Sequence, residues 1–140
     1  MAHSSPNATA RPVPVAMTIA GSDSSGGAGI QADLATFHAL GVHGTSAITC
    51  LTCQNFRSVT QIIPSPPEAV AEQIRVVCRD LPVAAVKTGM LFSAPIVEAV
   101  ASTLAELGIS RVVVDPVMRA TSSAMLLEPD AERALVEKLL

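Results

Sequence analysis

Ala20-Gly21-Ser22-Asp23-Ser24-Ser25-Gly26-Gly27-Ala28-Gly29-Ile30-Gln31-Ala32-Asp33 is the stretch that decides how this chain folds. The apolar run Val13 to Ala20 leads into it, and a helical pattern from Ile30 to Leu40 leads out. Four glycines and three serines between a strand and a helix call for a backbone that turns tightly and lies close to something else. A small-molecule site in this chain would start here.

Working outward, the chain alternates strand and helix signals. Val13 to Ala20 is apolar on both faces and reads as a buried strand. The helix from about Ala28 carries the stripe Ile30, Leu34, Phe37 and Leu40 and stops at Gly41. Gly44 to Thr52 is a second strand, Gln54 to Ser58 a polar loop and Val59 to Ile63 a short third strand. Pro64-Ser65-Pro66-Pro67 sets up a helix with the stripe Val70, Ile74, Val77, Cys78 and Leu81. Val83 to Val86 is a short buried strand. Ser93 then caps a helix with Pro95 in its first turn and Ile96, Val100, Leu104 and Leu107 on one face. Arg111 to Val114 is the next strand, and Pro129 to Leu140 begins another helix. The pattern predicts a parallel α/β sheet with helices on both faces, about five strands and four helices in all. Ligands of such sheets sit beyond the carboxyl ends of the strands. Four unusual stretches meet at that edge: the glycine loop, Thr52-Gln54-Asn55, Lys87-Thr88-Gly89-Met90 and Asp115-Pro116-Val117-Met118.

Composition narrows the function. Hydrophobic residues make up 49% of the 140 and aromatic residues 2%, so the core is aliphatic. A net charge of −3 with no basic cluster and few rings for stacking argues against nucleic acid. No apolar run reaches the ~18 residues of a membrane span, and no signal peptide is evident, so the expectation is a cytoplasmic protein. Residues 1–12 read as a disordered tail and 13–140 as the folded unit. Cys50, Cys53 and Cys78 show no disulfide framework; Cys50 and Cys53 have redox-motif spacing but lie on opposite faces of a strand.

The glycine loop matches no nucleotide motif in full. Gly21 to Gly26 has P-loop spacing, but Gly27-Ala28 stands where Lys-Ser/Thr would reach the terminal phosphates. Gly27 to Ala32 fits the dinucleotide fingerprint only loosely, with no acidic residue placed for a ribose. Asp33 falls between Phe37 and Leu40 on the helical wheel, so its carboxylate faces inward and needs a partner. That partner is either the loop's own amides or a ligand's hydroxyl or amino group. Gln54 can read a heterocycle edge, Met90 can face a flat ring, and Lys87 can neutralise phosphate or pair with Asp115. Asp115 can serve metal or phosphate chemistry or cap the next turn.

These motifs together resemble the hydroxymethylpyrimidine/phosphomethylpyrimidine kinases of thiamine biosynthesis, within the ribokinase-like superfamily. The resemblance is carried by residues 20–34, Thr52-Cys53-Gln54-Asn55, Lys87 to Leu91 and Val114 to Met118, and extends from about Met17 to Leu140. It implies ATP- and Mg²⁺-dependent phosphorylation of 4-amino-5-hydroxymethyl-2-methylpyrimidine and of its monophosphate, in a homo-oligomer. In that family the glycine motif touches the pyrimidine, not ATP. The resemblance therefore makes Gly21, Asp33 and Gln54 pyrimidine contacts and Met90 and Val117 apolar walls, with Asp115 on the phosphate and Mg²⁺ side. Ser122-Ser123 departs from the family's Ser-Gly. The resemblance also places the nucleotide loops and the anion hole in a C-terminal half beyond these 140 residues, so no catalytic residue is expected in this chain. Two other readings stand beside it: a catalytically inactive pyrimidine-binding module, and a pyridoxal kinase of the same superfamily.

Overall fold

The computed structural model describes residues 12–117 and 128–140. The tail expected over residues 1–12 and the Ser122-Ser123 departure fall almost wholly outside that range. Strands β1 (Val15–Asp23), β2 (His43–Gln54), β3 (Val59–Pro64), β4 (Val83–Thr88) and β5 (Val112–Val114) form one sheet in the order β3-β2-β1-β4-β5. Helices α1 (Gly29–Ala39), α2 (Pro67–Asp80), α3 (Ala94–Glu106) and α4 (Pro129–Leu139) complete the described elements.

Strand alternation assigns the faces. Met17 and Ile19 of β1, Ala47 of β2 and Val86 of β4 pack with Val70 and Ile74 of α2, Val97 and Val100 of α3, and Leu135 of α4. Thr18, between Met17 and Ile19, points the other way and bonds to Asp33 of α1. Thus α1 covers one face and α2, α3 and α4 the other. The expected stripes of α2 and α3 largely hold: Val70, Ile74, Ile96, Val100 and Leu104 are buried.

Three expectations need correction. β1, β2, β4 and β5 are mutually parallel along their neighbours, but β3 runs antiparallel to β2. Only residues 55–58 separate these two strands, too few for a crossover helix, so the chain can only fold straight back. Leu40 is 73% exposed instead of completing the α1 stripe. The helix ends before it in a Schellman turn, in which Val42 N–H donates to Phe37 O at 2.9 Å and Gly41 N–H to His38 O at 3.0 Å. Ser93 occupies the N-cap position of α3 as expected, but its hydroxyl makes no capping bond. Its carbonyl accepts from the Ile96 and Val97 amides instead.

Candidate acceptor-binding site

A cavity of about 530 Å³ opens at the carboxyl ends of β1, β2, β4 and β5, where a parallel sheet places ligands. Gly21, Asp33, Gln54, Met90, Asp115 and Val117 all line it. So do Phe56, Arg57 and Lys87, of which only the lysine stood out in the sequence.

The glycine loop is pinned from within. Asp23, at the end of β1, accepts from Ser25 N–H at 2.8 Å, Ser25 Oγ at 2.7 Å and Ala28 N–H at 2.8 Å. The α1 N-terminus, often an anion site, thus already has a carboxylate in place. Burial pushes the Asp23 carboxyl up, but the bonds from the Ser25 hydroxyl and from the Ser25, Ala28 and Gly27 amides outweigh it, leaving it below the ordinary 3.8. This is the loop-amide role considered for Asp33, and it belongs to Asp23. An Asp followed by Ser-Ser-Gly-Gly is the sequence signal for such a turn.

Gly29 has φ +58°, and a Cβ there would collide with the Gly21 carbonyl. Gly21 itself sits where the β1–β2 register shifts between Ala20 and Ser22; a Cβ on it would stand 2.8 Å from Cys50 Sγ. Side chains at either position would fill the space between loop and strand.

The β2–β3 loop is clasped to the glycine loop. Ser24 Oγ donates to Gln54 O at 2.6 Å, and Gln54 N–H donates to Ser24 Oγ at 2.9 Å. Thr52 Oγ1 donates to Ser22 O at 2.8 Å and stands 3.2 Å from Gln54 Oε1. Asn55 Oδ1 accepts from the Arg57 and Ser58 amides, which turns the loop and brings the 83%-exposed Phe56 over Gly27.

Met90 is held by its backbone: buried Thr49 Oγ1 donates to Met90 O at 2.6 Å. Its sulfur lies 3.9 Å from Cys50 Sγ. Phe92, just beyond, packs against this pair with φ +68°, a rare conformation for a non-glycine residue. Burial pushes the Cys50 thiol up, while Cys53 is exposed on the opposite face of β2, so the two thiols do not form a redox pair.

Asp33 is partnered by other charged and polar side chains. Lys87 Nζ lies 3.0 Å from both of its oxygens, and Thr18 Oγ1 donates to Oδ2 at 2.6 Å. Lys87 also reaches Asp115 Oδ2 at 3.4 Å. Its expected pairing with Asp115 exists, then, but the contact with Asp33 is the closer one. Asp115 N–H donates to Thr88 O at 3.1 Å, which fixes the chain beyond β5 against β4.

A family model described as phosphomethylpyrimidine kinase matches residues 23–140. The chain belongs to the phosphomethylpyrimidine kinase family. It is 53% identical over 128 residues to the hydroxymethylpyrimidine/phosphomethylpyrimidine kinase of Synechococcus elongatus, covering 91% of this chain and 48% of that one. The phosphomethylpyrimidine kinase structure from Clostridium difficile superposes with a TM-score of 0.83 at 44% identity, over 91% of this chain and 55% of that one. A Bacillus subtilis pyridoxal kinase solved as an ADP complex gives 0.77 at 40% identity, over 91% and 46%. The chain spans about half the length of the curated relatives it matches. Among the described residues no helix is long and apolar enough to cross a membrane.

Proposed function

We propose that this chain forms the acceptor-binding half of a kinase that phosphorylates 4-amino-5-hydroxymethyl-2-methylpyrimidine and its monophosphate at the expense of ATP. The observation that carries the reading is the Asp23 carboxylate inside the glycine loop. It accepts the Ser25 and Ala28 amides of the loop, and its charge opposes a second anion at the α1 N-terminus beside it. The loop is therefore suited to a neutral ring, and the cavity beside it offers the parts to hold one. Gly21 leaves room for close approach, Met90 and Val117 supply apolar walls, and Asp33 and Gln54 supply polar contacts.

On this reading the chain's own residues bind and orient the acceptor, while the transferring phosphoryl group meets its donors elsewhere in a longer polypeptide. Asp115, half exposed at the end of β5, fits the phosphate side. Among the described residues no three Cys, His, Asp or Glu side chains gather as a metal cage. Asp115, though in contact with Lys87, could supply one of the one or two carboxylates that commonly hold Mg²⁺ together with substrate phosphates. Bound there, the ion would neutralise charge on the transferring group.

Calorimetry on the folded 140-residue chain tests the reading. Saturable binding of the aminopyrimidine is expected, weakened about tenfold or more by Asp33→Ala or Gln54→Ala. No heat from folded protein contradicts it. The likeness to a pyridoxal kinase supports a second reading, in which pyridoxal is the acceptor. Pyridoxal binding more tightly than the aminopyrimidine would favour it. Binding without phosphoryl transfer from ATP in the longer polypeptide would favour a non-catalytic pyrimidine-binding module.

A further inference from the structure

Five charged side chains line the cavity: the carboxylates of Asp23, Asp33 and Asp115 and the cations of Lys87 and Arg57. The two cations are not equivalent. Lys87 Nζ lies 3.0 Å from Asp33 Oδ2 and 3.4 Å from Asp115 Oδ2, so two carboxylates already offset its charge. Arg57 forms no ion pair, and its guanidinium no hydrogen bond, with any of the described residues. Its backbone is nevertheless held. Arg57 N–H donates to Asn55 Oδ1 at 2.9 Å, and Asn55 N–H donates to Ser58 O at 3.0 Å. The neighbouring Phe56 ring lies against the glycine loop, where a Cβ on Gly27 would stand 2.8 Å from it. A fixed turn thus carries a guanidinium with no partner among the described residues to the wall of the cavity.

We propose that Arg57 is an anion subsite of this cavity and takes the phosphate of an acceptor that is already phosphorylated. The inference rests on the acceptor-site reading above. A phosphate monoester carries a charge of about −1.5 to −2 near pH 7, and it enters a space lined by carboxylates that repel it. A neutral alcohol meets no such repulsion and has no use for a cation. The guanidinium fork matches phosphate oxygens with two parallel N–H donors, and forming that pair breaks no existing one among the described residues. Arg57 therefore sets how well a phosphorylated acceptor binds relative to the free alcohol. Its place on the β2–β3 loop, directly after Gln54 at the end of β2, assigns it to the acceptor and not to the nucleotide.

Calorimetry on the full chain compares three ligands: 4-amino-5-hydroxymethyl-2-methylpyrimidine, its monophosphate and Mg·ATP. Arg57→Gln is expected to weaken the monophosphate about tenfold and to leave the alcohol within about twofold. Arg57→Lys should restore part of the loss, because it returns the charge without the fork. Added salt should weaken monophosphate binding more in the unaltered protein than in Arg57→Gln. A merely structural arginine would weaken both acceptors alike or neither, and an unchanged ratio between them overturns the proposal. A loss confined to Mg·ATP overturns it too, since the subsite would then serve the nucleotide. So does an unaltered protein that binds the alcohol but not the monophosphate. If the folded, unaltered protein binds neither acceptor, the acceptor-site reading falls; if it binds both and Arg57→Gln keeps their ratio, only the role of Arg57 falls.

Discussion

Asp23 supplies the loop with a negative charge of its own, and that charge has a measurable pH signature. A carboxyl held below its ordinary 3.8 in the folded state binds fewer protons there than in the unfolded chain. Its stabilisation is therefore fully present above the unfolded value and is lost as pH falls through the folded one. Urea titrations should show the stability gap between wild type and Asp23→Asn steady from pH 7 to about 5 and closing below about 4. A gap that widens on acidification contradicts the assignment. The two positive-φ loop glycines separate two effects. Gly26 (φ +78°) has nothing within 4 Å of a built Cβ, whereas Gly29 adds a collision with the Gly21 carbonyl. Gly26→Ala should cost about 1–2 kcal/mol from the dihedral alone and Gly29→Ala clearly more, measured by denaturant midpoints. Equal costs would mean that the backbone contact at Gly29 relaxes away. At this scale the sequence was only partly legible. An inward Asp33 followed from its helical phase, but its partners did not, because Lys87 lies 54 residues away and distances across a sheet are set by register.

Among elements, the β2–β3 hairpin matters most for the site, because its loop forms one wall of the cavity. Ser24 joins it to the glycine loop through two hydrogen bonds made by one hydroxyl. Ser24→Ala should speed hydrogen exchange at the Gln54 amide about tenfold or more while moving the global melting temperature little. A protection pattern unchanged at Gln54 would show that the clasp holds nothing. The helices α2 and α3 were legible because their apolar residues recur at three and four and proline marks their starts. α1 was less so. It buries only Ile30 fully and covers a face of small and polar residues, so its stripe was a weaker guide to exposure. The direction of β3 could be read from the length of its connection, a four-residue loop, more surely than from its own residues.

For the whole molecule, the sheet has two outer strands. β3 pairs only with β2, and the three-residue β5 pairs only with β4 among the described residues; Val113 on β5 is 64% exposed. Unpaired strand edges and exposed apolar side chains favour association. Sedimentation velocity on the 140-residue chain should show concentration-dependent self-association, and a single monomer species at every concentration would contradict it. The placement of the cavity at the strand ends was legible from alternation alone, since a parallel sheet sends its loops there. The occupant we propose for the cavity is the aminopyrimidine acceptor. Chemical-shift mapping on the isotopically labelled chain, titrated with 4-amino-5-hydroxymethyl-2-methylpyrimidine, tests it most directly. Saturable shifts confined to the amides around Gly21, Asp33, Gln54, Lys87 and Met90 are expected. Shifts centred elsewhere, or none in the folded protein, would contradict it.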